Sequence, residues 1–275
     1  MTLPVDLVLV RHGQSEGNAA KRLHESGQPE ALAKLVSERH TSGYLLTSLG
    51  EKQAVDAGAW LRDAFRGGFD RCYVSEYLRA KQTAGLLDLP NAKWFPNFYL
   101  CERDSGGVET RPESVRDEEF RHMLRMRENE PFFWKPGNGE SLAQLSLRLD
   151  RVLDTLHRLD DPDCRVILVC HGEVMWTYRV LLERMSQEVF RKTYLSKEPI
   201  DRIHNCQILH YTRRNPERPS DRPEPYLQWM RTVRPTETPI WSSGWRKIER
   251  PTYTNEQLLE EVERYRSAID TSPHD

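Results

Sequence analysis

The sequence lacks the cysteine pattern of a disulfide-rich or zinc-binding protein. Its five cysteines are odd in number and scattered, and no two of them form a C-x-x-C pair. Such a set is typical of free thiols in a reducing compartment. We therefore expect free cysteines and a cytoplasmic protein.

Long apolar runs and an excess of charge of one sign are also missing. No segment approaches the roughly 18 consecutive apolar residues that a membrane-spanning helix needs. The first 13 residues, MTLPVDLVLVRHG, have no basic region ahead of a short apolar run, unlike a signal sequence. The 40 basic side chains nearly balance the 42 acidic ones, which leaves a net charge of −2. We therefore expect neither nucleic acid nor a membrane surface as a partner, while the oligomeric state is not indicated.

Short apolar runs alternate with helical patterns along most of the chain. Strands are predicted at residues 5–10, 69–75 and 165–170, with helices at about 47–65, 78–87, 142–159 and 174–185. A run at 92–101 is interrupted by Pro96, which indicates an edge strand. Alternating strands and helices favour a parallel sheet. The predicted fold is an α/β three-layer sandwich with one mainly parallel central sheet, helices on both faces and a cap insertion.

The composition changes near residue 213. We expect one α/β domain over residues 1–212, with insertions at about 19–45 and 108–137. The segment RRNPERPSDRPEP that follows is rich in proline and charge, as in a loop or linker. Residues 213–275 are therefore expected to form this linker and a C-terminal extension that packs on the same domain. The alternative is that its helix near 254–269 fits a groove on a partner.

Two predicted strands end in the same way. LVLVRHG and ILVCHG each place a histidine and a glycine directly after the apolar run. Because ligands of open parallel sheets bind at the carboxyl ends of the strands, His12 and His171 are expected to share a crevice. Neither H-E-x-x-H nor a P-loop motif occurs, and Arg11 beside His12 would attract an anion rather than a metal cation. The pattern favours a phosphate group as the ligand.

Six motifs in one order carry a resemblance to a known family. The chain resembles the histidine phosphatase superfamily, in its phosphoglycerate-mutase-like branch, over residues 5 to about 212. The motifs are RHGQSEGN (11–18), LTSLGEKQA (46–54), SEYLRAKQTA (75–84), CERDSGG (101–107), NGESLAQLSLRLDRV (138–152) and VCHGEVM (169–175).

The resemblance implies a role for each matching residue. His12 is then the nucleophile that becomes a phosphohistidine, and Glu102 is the proton donor. The phosphoryl oxygens are held by Arg11, Arg79 and His171, with help from Asn18 and the backbone at Gly172. Asn18 has a second interpretation, as a residue that only caps the following turn. Neither a metal ion nor an organic cofactor is implied.

General chemistry is consistent with these roles. A phosphoryl group in transfer spreads negative charge over three oxygens, which cationic side chains stabilise. The two guanidinium groups would also disfavour protonation of His12 and so keep its lone pair available. An arginine at a helix N-terminus, where Arg79 is predicted, is unfavourable unless an anion binds there.

Three functions stay open from the sequence. The first is a phosphatase acting on a phosphorylated small molecule or a phosphoprotein, with water as the acceptor. The second is a sugar-acid mutase, but those members carry a Trp before the motif asparagine and an R-F-x-G-W-x-D segment after it. Here Gly17 precedes Asn18, and residues 19–45 lack that segment. The third is a non-catalytic module that binds a phospho-ligand or a partner.

Overall fold

The apolar runs of the sequence form one mixed sheet. The computed structural model describes residues 2–28, 30–106, 118–196 and 198–264. Within these ranges the strands are β1 (Asp6–Arg11), β2 (Arg71–Ser75), β3 (Trp94–Asn97), β4 (Arg165–Cys170), β5 (Ile208–Thr212), β6 (Trp229–Arg234), β7 (Trp241–Ser242) and β8 (Arg246–Lys247). Their order in the sheet is β3-β2-β4-β1-β5-β6-β7, and β8 also pairs with β6.

The sheet is parallel around its centre and antiparallel toward one side. β1 pairs in parallel with β4, and β2 pairs in parallel with both β4 and β3. On its other side β1 pairs antiparallel with β5, and β6 follows β5 without an intervening helix. An antiparallel partner needs no helical crossover, which is why this side has no alternating pattern in the sequence.

Helices cover both faces of the sheet. In chain order the described α-helices are α1 (Glu16–Glu25), α2 (Glu30–Glu38), α3 (Ser48–Ala64), α4 (Leu78–Leu86), α5 (Glu118–Asn129), α6 (Leu142–His157), α7 (Gly172–Glu183), α8 (Gln187–Tyr194) and α9 (Asn255–Arg264). Single 3₁₀ turns lie at Thr41–Gly43, Phe98–Leu100 and Pro199–Asp201.

Alternate residues of β1 face the two helical layers. Leu7 and Leu9 belong to the cluster that contains the buried residues of α6 and α7. Val8 and Val10 belong to the cluster formed by α3 and α4. The period of two places successive side chains on opposite faces. The predicted three-layer α/β sandwich with a mainly parallel central sheet is confirmed.

Of the remaining predictions for the fold, the edge strand is confirmed, whereas the cap insertion and the division of the chain stay predictions. The strand that contains Pro96 lies at the edge of the sheet, as predicted. Of the predicted insertion at about 108–137, residues 108–117 lie outside the described residues. The division of the chain at residue 213 stays a prediction, although β6 beyond it extends the same sheet.

The C-terminal extension is attached to the body by arginines. Arg250 donates from Nε to the carbonyl oxygen of Leu182 at 3.0 Å, and Arg246 forms an ion pair with Glu183. By contrast, α9 has no buried residue, and its Leu258, Leu259 and Val262 are exposed. Among the described helices, none is both long and apolar enough to cross a bilayer.

Candidate active site

The carboxyl ends of β1 and β4 bring the two histidines together. Arg11 is in register with Cys170, so the residues that follow, His12 and His171, leave the sheet side by side. Their ring centroids are 5.0 Å apart, with the ring planes inclined at 63°. Both side chains are buried. The predicted pairing of RHG with CHG therefore exists in space.

The hydrogen bonds of His12 define its tautomer. Nδ1 lies 2.7 Å from the carbonyl oxygen of Gly13, which can only accept, so Nδ1 carries the proton. Nε2 lies 3.1 Å from Nε of Arg79, which can only donate, so Nε2 carries the lone pair. His12 thus presents a nucleophilic nitrogen toward a guanidinium group.

Arg79 is held at the start of α4. Its Nη1 donates to the carbonyl oxygen of Thr41 at 2.6 Å, and its guanidinium carbon lies 4.8 Å from the ring centroid of Tyr77. The side chain is buried, although a helix N-terminus repels a cation. A buried guanidinium in that position fits a site for an anion.

Two buried nitrogens in the site have no hydrogen-bond partner among the described residues. They are Nε of Arg11 and Nδ1 of His171. Arg11 also donates from Nη1 to the carbonyl oxygen of Ile203 at 2.5 Å, and Nε2 of His171 lies 2.7 Å from the hydroxyl of Ser75. Buried polar groups are rarely left unpaired. A bound oxyanion would satisfy both nitrogens.

Burial and positive charge keep both imidazoles neutral. Burial, followed by the charges of Arg79 and Arg11, lowers the pKa of His12 well below its usual value. For His171, burial and then the charge of Arg79 lower the pKa in the same way. The predicted effect of the guanidinium groups on His12 therefore has the expected sign.

The carboxyl group of Glu102 lies close to Gly172, the residue after His171. Its Oε1 accepts a hydrogen bond from the backbone N–H of Arg103 at 3.0 Å. Burial, followed by the charge of Glu173, raises the pKa of Glu102, while Arg79 and Arg11 act in the other direction. A Cβ atom on Gly172 would lie 4.0 Å from Oε2 of Glu102 and 3.6 Å from Nε of Arg11. Both separations are ordinary van der Waals contacts, so residue 172 borders the carboxyl group and the guanidinium group at the same time.

Asn18 is committed in part to capping. Its Oδ1 accepts hydrogen bonds from the backbone and hydroxyl of Ser15, the N-cap of α1, at 3.1 and 3.2 Å. Nδ2 of Asn205 donates to the same oxygen at 3.1 Å and also to the carbonyl oxygen of His12 at 3.1 Å. Only the amide nitrogen of Asn18 is therefore suited to contact an anion.

Several residues that shape this site were not predicted from the sequence. Ser75 ends β2 next to His171, and its place at a strand end was the available signal. Thr83 accepts a hydrogen bond from the backbone N–H of Gly13 at 3.0 Å. Asn205 lies 193 positions from His12, and no motif pointed to it. Within the described ranges no three His, Cys, Asp or Glu side chains cluster as a metal site would require.

A known protein family matches the part of the chain that contains these site residues. The profile of the histidine phosphatase superfamily (branch 1) covers residues 7–214. The 2,3-bisphosphoglycerate-dependent phosphoglycerate mutase of Afipia carboxidovorans is 28% identical over 208 residues, which are 69% of this chain and 86% of that protein.

Solved structures show the same fold. The mycobacterial glucosyl-3-phosphoglycerate phosphatase, in its complex with VO3, gives a TM-score of 0.55 at 22% identity, over 75% of this chain and 90% of that one. Phosphoserine phosphatase from Entamoeba histolytica, in complex with 3-phosphoglyceric acid, gives 0.52 at 22% identity, over 75% and 89%. With the profile match over residues 7–214, these findings establish that the chain belongs to branch 1 of the histidine phosphatase superfamily.

Proposed function

We propose that the protein is a phosphomonoesterase that needs no metal ion and acts through a phosphohistidine on His12. The observation that carries the proposal is the oriented lone pair of His12. Nδ1 is held by the carbonyl oxygen of Gly13, and Nε2 is directed at a buried guanidinium group. A neutral imidazole held in this way is a nucleophile ready for in-line attack on phosphorus.

The first step forms the covalent intermediate. Nε2 of His12 forms a bond to phosphorus while the ester P–O bond breaks. The leaving oxygen takes a proton from Glu102, whose raised pKa favours the protonated carboxyl. The alcohol departs, and the phosphoryl group remains on His12.

The second step returns the enzyme to its starting state. Water attacks phosphorus and gives a proton to the Glu102 carboxylate, while the P–N bond breaks. Inorganic phosphate is released, and His12 recovers its lone pair. One ester and one water become one alcohol and one phosphate.

The arginines act on the charge of the phosphoryl group. In the structure Arg79 donates to the same lone pair that must attack. A phosphoryl dianion competes for this guanidinium, because a charged acceptor binds it more strongly than a neutral imidazole does. Substrate binding would therefore free Nε2 and at the same time place Arg79 on a phosphoryl oxygen, with Arg11 and His171 on the others.

A mutase is the second candidate function, because the similar proteins include both a mutase and phosphatases. The Afipia protein is a mutase, whereas the two solved structures are phosphatases. Gly17 before Asn18, and a segment at 19–45 without the mutase pattern, favour water as the acceptor here. We propose a phosphorylated small molecule as the substrate, since the two solved structures are phosphatases named for glucosyl-3-phosphoglycerate and for phosphoserine.

The test measures release of p-nitrophenol from p-nitrophenyl phosphate in the presence of EDTA. Wild type is compared with His12→Ala and with His157→Ala, which removes an exposed histidine at the end of α6. We expect turnover in wild type and His157→Ala and a loss of about 10⁴-fold or more in His12→Ala. In wild type, rapid quenching should also trap the phosphoryl group on His12 as an acid-labile phosphohistidine.

The mutase is tested in parallel by interconversion of 2- and 3-phosphoglycerate with catalytic 2,3-bisphosphoglycerate. Isomerisation that is faster than phosphate release would show that the protein is a mutase and not a phosphatase. Binding of orthovanadate without turnover of any ester would instead favour the non-catalytic module. Turnover that is unaffected by His12→Ala would contradict the phosphohistidine route altogether.

A further inference from the structure

One acidic residue near the site has no part in the mechanism above. Glu173 lies in the first turn of α7, immediately after Gly172. Its Oε1 accepts a hydrogen bond from the hydroxyl of Tyr194 at 2.7 Å. Its Oε2 is buried and has no hydrogen-bond partner among the described residues. A carboxylate half-satisfied in this way calls for an explanation.

The partner of Glu173 is held firmly in place. The ring of Tyr194 stacks on Phe190, with centroids 5.0 Å apart and planes inclined at 27°. The edge of Trp176 packs against Tyr194 at 5.7 Å. Phe190 is itself fully buried. The Tyr194 hydroxyl therefore has a fixed position, and it fixes the carboxylate of Glu173 at the N-terminus of α7.

Glu102 lies against the same helix end. Its Oε2 would be 4.0 Å from a Cβ on Gly172, the residue that precedes Glu173. Its Oε1 already accepts from the backbone N–H of Arg103. The proton of a neutral Glu102 therefore resides on Oε2, the oxygen that faces the start of α7.

We propose that Glu173 is a positioning residue whose fixed negative charge keeps the proton on Glu102 between turnovers. This inference rests on the proposed function, in which Glu102 protonates the leaving oxygen. Arg11 and Arg79 both favour the ionised form of Glu102, because they attract a negative charge. Glu173 opposes them: the burial of Glu102, followed by the charge of Glu173, raises the pKa of Glu102.

Other groups that face Glu102 do not alter this balance. Burial raises the pKa of Tyr77 to about 12 and also raises that of Cys170, so both stay neutral at working pH. Arg148 donates to the backbone carbonyl oxygen of Glu102 at 3.3 Å and pairs its charge with Glu140. Burial and the charge of Glu173 thus favour the protonated form of Glu102, whereas the backbone hydrogen bond from Arg103 and the charges of Arg79 and Arg11 favour the ionised form.

The kinetic test is a pH profile of kcat/KM for Glu173→Gln. The substrate is glycerol 3-phosphate, because its alkoxide leaving group needs a proton. We expect the alkaline limb to move to lower pH, with a loss of roughly three- to tenfold on the alkaline side of the optimum. Glu173→Asp retains the charge and should keep the wild-type limb. Glu188→Gln, an exposed glutamate in α8, is the matched control.

A second measurement does not depend on turnover. The carboxyl carbon of Glu102 is followed by ¹³C NMR in protein labelled at glutamate, with the resonance assigned by its loss in Glu102→Gln. Glu102 should titrate at lower pH in Glu173→Gln than in wild type. An unchanged titration, or a limb that moves equally in Glu188→Gln, would overturn the proposal. Absence of any His12-dependent turnover would sink the proposed function alone, because the titration would still decide the role of Glu173.

Discussion

Nε of Arg79 donates a hydrogen bond to Nε2 of His12 across 3.1 Å, although the two residues are 67 positions apart in the chain. This contact joins the end of β1 to the start of α4. It orients the lone pair of the imidazole and places a buried cation where a phosphoryl group would bind. The same guanidinium is also anchored to the carbonyl oxygen of Thr41 at 2.6 Å.

Replacing Arg79 by lysine should therefore impair both functions of the contact. A single ammonium cannot reproduce the planar set of donors that reaches His12, Thr41 and a phosphoryl oxygen. We expect Arg79→Lys to lower kcat/KM for p-nitrophenyl phosphate by about 10²- to 10³-fold and to weaken orthovanadate inhibition. Arg66→Lys, at an exposed surface ion pair, is the control and should retain wild-type kinetics. A loss below threefold in Arg79→Lys would contradict this role.

Glu102→Gln should discriminate between leaving groups. Glutamine keeps the shape of the side chain but cannot give up a proton. Departure of an alkoxide needs that proton, whereas p-nitrophenolate leaves readily without one. We expect the single-turnover rate of phosphoryl transfer to His12 to fall by about 10²-fold or more for glycerol 3-phosphate and far less for p-nitrophenyl phosphate. The later step, in which Glu102 takes a proton from water, is common to both esters and does not discriminate between them. Equal losses on both esters, measured in single-turnover experiments, would remove the acid role from Glu102.

The sequence predicted the parallel part of the sheet and the residues at its edge. Apolar runs that end in RHG and CHG placed His12 and His171 together, because neighbouring parallel strands end at the same edge. This inference depended on local pattern and on one general rule of topology. The place of Arg79 beside the two histidines was instead implied by the resemblance to the histidine phosphatase superfamily.

Contacts that depend on long-range packing were not predictable in this way. Asn205 reaches the carbonyl oxygen of His12 from a loop before β5, and only the assembled sheet brings them together. The double role of Asn18 was visible in part, because a serine three residues earlier forms a capping box. Glu173 lies inside the quoted motif VCHGEVM, but its significance depends on Tyr194, which no motif contains.

The buried histidines should make the stability of the protein depend on pH. In the unfolded chain a histidine binds a proton near pH 6.5, whereas burial lowers the pKa of His171 in the folded state. Below pH 6.5 the unfolded state then binds more protons, so the free energy of unfolding decreases as pH falls. Each such proton contributes at most about 1.4 kcal/mol per pH unit. The raised pKa of Glu102 has the opposite sign, so a variant is needed to isolate the histidine.

We therefore expect His171→Gln to reduce the loss of stability between pH 7.5 and 5.5. Urea denaturation at both pH values measures the free energy of unfolding, in buffers without phosphate. His157→Gln replaces an exposed histidine and should show the wild-type difference. If His171→Gln and wild type lose the same amount, the imidazole of His171 is not neutral in the folded protein.

Gly13 and Gly85 give a matched pair that tests how closely the catalytic loop is packed. A Cβ on Gly13 would lie 2.3 Å from the carbonyl oxygen of Gly50, so the backbone beside His12 or that of α3 would have to move. We expect Gly13→Ala to reduce the free energy of unfolding by about 2–3 kcal/mol. It should also lower the activity, because a displaced backbone at residue 13 moves the carbonyl oxygen that holds Nδ1 of His12.

Gly85 lies in α4, where a Cβ meets no described atom within 4 Å. Gly85→Ala should therefore stabilise the protein by roughly 0.5–1 kcal/mol and keep full activity. Urea denaturation and phosphatase assays on both variants measure these effects. A Gly13→Ala protein as stable and as active as wild type would contradict the close packing of residue 13 against Gly50.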